Sequence, residues 1–202
     1  MVNNMIIIIA GMPAAGKSHL AREIQKEFHY PIIEKDKIKE QLFDTIGFTC
    51  YAEKRHLDVA SNAICLTVLK SLIEANVSVI IDNNFPSEAG EQLNTLLAES
   101  KTNAFTLFLY GDPEVLYERY YKRDKAGERH LGHAMQQKYP PSKTDPEIFD
   151  MSREGFDERF LKLGMDQINW GGEILKIDAT YPERIDLSAI VEAIKARQNR
   201  AF

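Results

Sequence analysis

A run of isoleucines that leads directly into a glycine-bent turn constrains this chain more than any other feature. Ile6 to Ile9 are four consecutive isoleucines, and the pattern Gly11-x-x-x-x-Gly16-Lys17-Ser18 follows almost at once. A continuous apolar run predicts a strand that is buried on both faces. The glycines allow the chain to turn tightly and approach a ligand closely. The sequence therefore predicts a strand, a phosphate-binding loop and a helix, in that order.

The loop residues indicate which ligand they bind. Lys17 supplies a mobile positive charge for the β- and γ-phosphates of a nucleotide, and the Ser18 hydroxyl is a ligand for Mg²⁺. The helix that starts near Lys17 adds its positive N-terminal end. We expect the whole segment to bind the nucleotide, with the residues Gly11, Met12, Pro13, Ala14, Ala15, Gly16, Lys17, Ser18 and His19.

Strands and helices alternate along the 202 residues. Amphipathic segments between the apolar runs predict helices. This alternation is typical of an α/β fold with a mostly parallel sheet and helices on both faces. We expect one domain over residues 1–202. Apolar runs predict its five strands at 5–10, 31–34, 77–81, 104–110 and 173–177.

Three helical segments carry specific expectations. A helix over 37–43 is expected to begin at Asp36, as its N-terminal cap. An amphipathic helix over 182–197 is expected to close the fold. A long helix over 52–75 is expected to bury the apolar residues that recur at helical spacing. Those residues are Leu57, Ala60, Ile64, Val68 and Leu72.

The segment 124–150 differs in character from the rest of the chain. It is polar and contains two glycines and three prolines. We interpret it as a small lid and connector and not as part of the core.

Composition and charge exclude several classes of function. The chain is 44% hydrophobic and 27% charged, as is ordinary for a soluble protein, and no apolar run reaches the 18 residues of a membrane span. Its net charge of −5 disfavours a long nucleic acid as the main partner. Cys50 and Cys65 lack metal-ligand spacing, and we interpret both as reduced core residues. We expect a cytoplasmic protein; no feature indicates its oligomeric state.

Polar residues follow the predicted strands where a parallel sheet binds its ligands. Asp36 follows the second strand, and its carboxylate either accepts the proton of an acceptor hydroxyl or only caps a helix. Asp82 ends the apolar run 77–81, in the position of an acid that holds Mg²⁺ beside Ser18 or contacts substrate. Lys39, Asn83 and Asn84 are candidate substrate contacts, and a solvated lysine and plain turn residues are the alternatives.

Three arginines form a further candidate set. Arg119 and Arg123 share one helix face, and Arg129 lies in the predicted lid. Guanidinium groups stabilise charge on a transferring phosphoryl group, although surface pairing with neighbouring acids is the alternative. His130 and His133 lack a third metal ligand nearby, which favours substrate or lid contacts over metal binding.

The loop, Asp36, the run Asp82-Asn83-Asn84 and the arginines together resemble the P-loop kinases. More narrowly, they are similar to the branch that contains zeta toxins, chloramphenicol phosphotransferase and the 5′-kinase domains of polynucleotide kinases. The matching motifs extend from about residue 5 to residue 133.

The resemblance implies a three-layer P-loop nucleoside triphosphate hydrolase fold, with a five-stranded parallel sheet in the order 2-3-1-4-5. It also implies ATP with Mg²⁺ as the phosphoryl donor and a hydroxyl group as the acceptor. Lys17, Asp36, Arg119, Arg123 and Arg129 take the catalytic roles, and Ser18 and Asp82 hold the metal. Many relatives carry arginine one turn after the acid, where this chain has Lys39, so the acceptor does not follow from the resemblance.

Four functions are compatible with these observations. The first is an ATP-dependent kinase for the hydroxyl of a small molecule. The others are a polynucleotide 5′-kinase, which needs a basic groove, a toxin-like sugar-nucleotide kinase, and an ATP-binding module without an acceptor.

Overall fold

Five parallel strands form the centre of the fold. The computed structural model describes residues 4–135, 137–142, 151–162, 168 and 170–198. The sheet has the order β2-β3-β1-β4-β5, with every pairing parallel, which confirms the predicted fold. The strands are β1 (Met5–Gly11), β2 (Ile32–Glu34), β3 (Val79–Asp82), β4 (Asn103–Tyr110) and β5 (Glu173–Asp178).

The four isoleucines of β1 connect two apolar clusters on opposite faces of the sheet. Ile7 and Ile9 pack into one cluster, with residues of the helices Lys17–Phe28, Pro113–Lys125 and Leu187–Gln198. Ile6 and Ile8 pack into the other cluster, with residues of the helices Tyr51–Glu74 and Ser87–Ser100. Because neither face of this strand contacts solvent, all of its side chains are apolar, which explains the continuous apolar run. The helices are α1 (Lys17–Phe28), α2 (Lys35–Ile46), α3 (Tyr51–Glu74), α4 (Ser87–Ser100), α5 (Pro113–Lys125), α6 (Leu131–Ala134), α7 (Arg153–Lys162) and α8 (Leu187–Gln198).

Two predicted helix boundaries differ from the structure. The helix α2 begins at Lys35, so Asp36 lies in its first turn and does not cap it. The closing helix is interrupted: Pro182–Arg184 form a 3₁₀ turn, and α8 begins only at Leu187. The Asp186 carboxylate accepts a hydrogen bond from the Ala189 amide, which starts a new helix at this point.

The predicted buried face of α3 was only partly correct. Leu57 is buried as expected, and Leu72 packs against the core. Ile64 and Val68 are 38% and 40% exposed, whereas Cys65 and Leu69 are completely buried. The buried face also contains polar residues. The most apolar face of the helix in the sequence is therefore rotated by about one residue from the face that packs against the core. Cys65 is a buried thiol as expected, but Cys50 is exposed and does not belong to the core.

By length and composition alone, α3 could cross a membrane, and it is the one such helix within the part of the chain that the structure describes. Of its most apolar window, 33% is buried in the fold, and the helix packs against α2 and α4.

Part of the predicted lid is packed more tightly than we expected. Met135 joins a third apolar cluster with Phe43, Phe48 and Leu57. Tyr139 and Phe48 exchange backbone hydrogen bonds of 2.9 and 2.8 Å, which fixes this segment against the turn between α2 and α3. Residues 143–150 of the predicted lid lie outside the described residues.

Two neighbouring residues of α3 test which face is packed. We expect Leu69→Ala to lower the free energy of unfolding by about 2–5 kcal/mol, because it leaves a cavity at a fully buried position. Val68→Ala is the matched control, and it should change the free energy by only about 0.5 kcal/mol. Urea unfolding of both variants measures the difference, and equal losses would contradict the assignment of the face.

Candidate active site

The segment Gly11–Ser18 forms a turn at the carboxyl edge of the sheet, between β1 and α1. Gly11 has φ of +133°, and a Cβ there would lie 2.0 Å from the Leu109 carbonyl oxygen, so no other residue fits. The Met12 amide donates to that same oxygen at 2.8 Å. Gly16 has φ of +89° and precedes α1, whose first-turn N–H groups have no partner within the helix. This arrangement is suited to bind an anion at the helix N-terminus.

Lys17 lies folded over this loop. Its Nζ donates to the carbonyl oxygens of Gly11 and Met12, at 3.1 and 2.9 Å. Burial lowers the pKa of the Lys17 ammonium, and the positive charges of Arg123 and Arg129 lower it further, against the opposing effect of Asp82. A bound anion would stabilise this buried charge, so the residues present fit a phosphate group.

Ser18 in the first turn of α1 and Asp82 at the end of β3 lie side by side. The Ser18 hydroxyl donates to Asp82 Oδ2 at 2.5 Å, and Asp82 ends β3 next to Ile9 of β1. Burial raises the pKa of the Asp82 carboxyl, which a bound cation would reverse. One hydroxyl and one carboxylate suit Mg²⁺, which takes its remaining ligands from phosphate and water. The described residues contain no cluster of three or more histidine, cysteine or acidic side chains for another metal.

The two asparagines after β3 contact the protein itself. Asn84 accepts a hydrogen bond from the Gly11 amide at 2.7 Å and donates to the Gly11 carbonyl at 2.9 Å. It therefore braces the start of the phosphate loop from the neighbouring strand. Asn83 is buried and donates to Asn62 Oδ1 at 3.0 Å. The structure thus places Asn84 against the loop, and its contact with a substrate stays a prediction.

Asp36 faces the cleft beside the loop. Its side chain is 67% exposed, so a ligand can reach the carboxylate. Burial of the surrounding cleft tends to raise the pKa of this carboxyl, but Lys35, His133 and Lys39 outweigh that effect and lower it to about 2. Asp36 is therefore ionised at neutral pH and is held beside several cations.

Lys39 is a buried residue in this structure. Its Nζ donates to Asp58 Oδ1, and Lys35 donates to the same oxygen. Burial and the charge of Lys35 lower the pKa of Lys39 to about 8, whereas Asp58 opposes the shift. We did not identify Asp58 from the sequence. The signal available was an acidic residue one turn after Lys54, next to the buried stripe of the long helix.

Two of the three arginines lie together, and the third does not join them. Arg123 and Arg129 both approach Asp124, at 3.6 and 3.5 Å, and both lie over the Tyr120 ring. Burial and the neighbouring Arg129 lower the pKa of Arg123, whose Nε is buried without a hydrogen-bond partner among the described residues. Arg119 instead donates to the backbone carbonyls of residues 179 and 180, which follow β5.

The two histidines fasten α6 to α2. His130 Nε2 lies 3.0 Å from Asp44 Oδ1, and its Nδ1 accepts a hydrogen bond from the Gly132 amide, which assigns the proton to Nε2. His133 Nε2 lies 3.3 Å from Glu40 Oε1. Both rings thus contact carboxylates of α2, as lid contacts would.

Neither of the two cavities described below belongs to the candidate site. Two cavities, of about 530 and 560 Å³, lie away from it. The first lies between Phe48 and Pro140, and the second lies beside Arg197 at the amino edge of the sheet.

The sequence matches a known protein-family model. The family model described as an AAA domain matches residues 6–140. The chain belongs to this family. The match also confirms the prediction of a P-loop kinase family. No curated protein matches the sequence.

Solved structures share the fold of this AAA-domain protein. A "putative kinase" from Chloroflexus aurantiacus J-10-fl is 23% identical with a TM-score of 0.77, and the match covers 96% of this chain and 98% of that one. A gluconokinase from Sinorhizobium meliloti 1021 is 16% identical with a TM-score of 0.53, over 98% and 92%. An uncharacterised protein from Eubacterium ventriosum ATCC 27560 is 11% identical with a TM-score of 0.52, over 98% and 100%.

The role of Asn84 can be tested through nucleotide binding. We expect Asn84→Ala to weaken ATP binding about 10-fold, because the loop loses both hydrogen bonds to Gly11. Asn94→Ala is the matched control, since it also removes a long-range hydrogen bond, to the Gly171 amide, far from the loop. Calorimetric titration with ATP measures both variants. Equal affinity in Asn84→Ala and the parent protein would refute the bracing role.

Proposed function

We propose that this protein is an ATP-dependent kinase that transfers the γ-phosphate of ATP to a hydroxyl group of a small molecule. The observation that carries the proposal is a cluster of three cations around the loop. Burial and the charges of Arg123 and Arg129 lower the pKa of Lys17, and burial and the charge of Arg129 lower the pKa of Arg123. A triphosphate would relieve this repulsion, and few other ligands carry enough negative charge.

The residues in and around the loop would bind the donor, ATP. The backbone amides at the start of α1 and the Lys17 ammonium would bind the phosphates. Ser18 and Asp82 would hold Mg²⁺, which supplies neutralisation of the phosphate charge when bound. Arg123 and Arg129 would stabilise the charge that develops on the transferring group.

The acceptor side centres on Asp36. In the proposed step a bond forms between the acceptor oxygen and the γ-phosphorus, and the bond from that phosphorus to the bridging oxygen breaks. The hydroxyl proton passes to the Asp36 carboxylate. A carboxyl with a pKa of about 2 is a weak base, so Asp36 orients the hydroxyl and accepts its proton late, as suits a loose transition state.

A polynucleotide acceptor receives less support. The chain has a net charge of −5, and its lysines beside Asp36 are occupied by Asp58. A long nucleic acid requires cations that are not already neutralised. An acceptor screen should therefore cover nucleosides, sugars, antibiotics and oligonucleotides. It should also include gluconate, because one protein of the same fold is described as a gluconokinase.

We propose that the protein acts in the cytoplasm. The exposed Cys50 and the buried Cys65 are both free thiols, which suits a reducing compartment. We also propose that residues 1–202 form one domain, because β5 and α8 lie beyond the matched family region and complete the same sheet and core.

Removal of the Lys17 ammonium tests the donor side. We expect Lys17→Ala to weaken ATP binding by about 10- to 100-fold, because a charged group that contacts phosphate is lost. Lys26→Ala is the matched control on the same helix, where the ammonium forms an exposed ion pair with Glu23. ATP titration and ATP consumption measure the effect. An unchanged affinity and turnover in Lys17→Ala would overturn the assignment of the loop.

Removal of the Asp36 charge tests the acceptor side. We expect Asp36→Asn to lower phosphate transfer about 100-fold and to leave ATP affinity within about 2-fold. Because the pKa of Asp36 is lowered to about 2, its carboxyl group is ionised at every pH well above that value. The contribution of Asp36 should therefore be constant from about pH 4 to pH 7. Equal transfer rates in variant and parent, once an acceptor is known, would exclude this role.

A further inference from the structure

One face of α3 carries three polar residues at successive turns. Lys54, Asp58 and Asn62 are spaced four residues apart and therefore form one stripe along the helix. Lys54 and Asn62 are buried, and Asp58 is partly buried. Each of the three contacts a different part of the acceptor side of the cleft.

Lys54 holds the segment around α6. Its Nζ donates to the carbonyl oxygens of His133, at 2.9 Å, and of Met135. The ammonium also lies 5.5 Å from the centre of the Phe48 ring. A single side chain of α3 thus fixes the backbone around α6.

Asp58 holds the two lysines that flank Asp36. One oxygen of its carboxylate, Oδ1, accepts hydrogen bonds from both Lys35 and Lys39. Lys35 Nζ lies 3.9 Å from Asp36 Oδ1. The position of both ammonium groups relative to Asp36 therefore depends on Asp58.

Asn62 fixes the orientation of the amide of Asn83. Its Nδ2 donates to the Asp58 carbonyl at 3.1 Å, so its Oδ1 remains to accept from Asn83 Nδ2. The opposite end of that amide, Asn83 Oδ1, is buried without a hydrogen-bond partner in the described part of the chain. An unsatisfied buried oxygen is costly, which is typical of positions kept for function.

Packing alone does not explain this stripe. Apolar residues of similar volume would fill the same positions without the cost of burying charges and amides. We propose that the stripe Lys54, Asp58 and Asn62 positions the acceptor half of the site. Within it, Asp58 is a positioning residue that sets Lys35 and Lys39 around Asp36. This inference rests on the proposed kinase function, because it assigns a role within the same site.

The electrostatics of Lys39 provide a readout that needs no acceptor. Four charged or titratable groups act on its ammonium: Lys35 and Asp36 on α2, Asp58 on α3, and His133 on α6. Burial and Lys35 lower the pKa of Lys39 to about 8, and the Asp58 carboxylate raises it. Asp58→Asn keeps the shape of the side chain and removes that charge, so Lys39 should lose its proton at lower pH.

The test is a pH titration of the full chain with ¹³C-labelled lysine, followed through the ¹³Cε shift of Lys39, which Lys39→Arg assigns. We expect Asp58→Asn to move the midpoint down by about one unit or more. Glu74→Gln is the matched control, because it removes one negative charge from the exposed end of the same helix. An unchanged midpoint in Asp58→Asn would overturn the inference.

Kinetics with the acceptor found by the screen separate positioning from stability. We expect Asp58→Asn to lower acceptor kcat/KM by about 10- to 100-fold while ATP affinity stays within about 2-fold. Asp58→Glu, which keeps the charge, should retain the Lys39 titration and recover part of the activity. Parallel loss of ATP affinity and thermal stability would indicate a structural role only and overturn the proposal.

The two proposals fail in different ways. If the parent protein binds ATP but no acceptor stimulates its consumption, the kinase assignment fails, and the Lys39 titration still decides whether Asp58 sets the lysine charges. If phosphate transfer is confirmed and Asp58→Asn retains full acceptor kcat/KM, the kinase assignment stands and the positioning role is excluded.

Discussion

The end of β1 is the point on which the rest of the site depends. Gly11 lies against the Leu109 carbonyl on one side and the Asn84 amide on the other, so two neighbouring strands determine the path of the loop. The strand itself cannot shift easily, because its isoleucines are buried on both faces. A loop anchored in this way is ordered in the absence of a ligand, which would reduce the cost of ordering if a ligand binds.

Like charges are concentrated on both sides of the cleft. On the donor side, Lys17, Arg123 and Arg129 lie near Asp82 and Asp124, and the charge of Asp36 also acts on Lys17 and Arg123. On the acceptor side, Lys35 and Lys39 are balanced by Asp58 and Asp36. The donor side therefore retains an excess of positive charge and suits a polyanion, whereas the acceptor side is close to neutral and suits a hydroxyl compound.

The sequence predicted correctly those secondary-structure elements that are determined by neighbouring residues in the chain. The strand, loop and helix from Met5 to Phe28 follow from an apolar run and fixed glycine spacing, and the parallel sheet follows from the alternation of elements. The bracing role of Asn84 depends on a contact 73 residues away, which no periodicity encodes. The prediction of the buried face of α3 was partly wrong for a related reason. Polar residues on that face are buried because they bind partners in the fold and not because they are hydrophobic.

One short segment connects the two sides of the cleft. Arg129 donates to the Tyr120 hydroxyl on α5, and the next residue, His130, contacts Asp44 on α2. A single peptide bond thus joins the arginine pair of the donor side to the helix that carries Asp36. Because Lys54 holds the following residues against α3, movement of this segment must displace an arginine, a histidine and a buried lysine together. The segment therefore links the contacts of the arginine pair directly to those of α2 and α3.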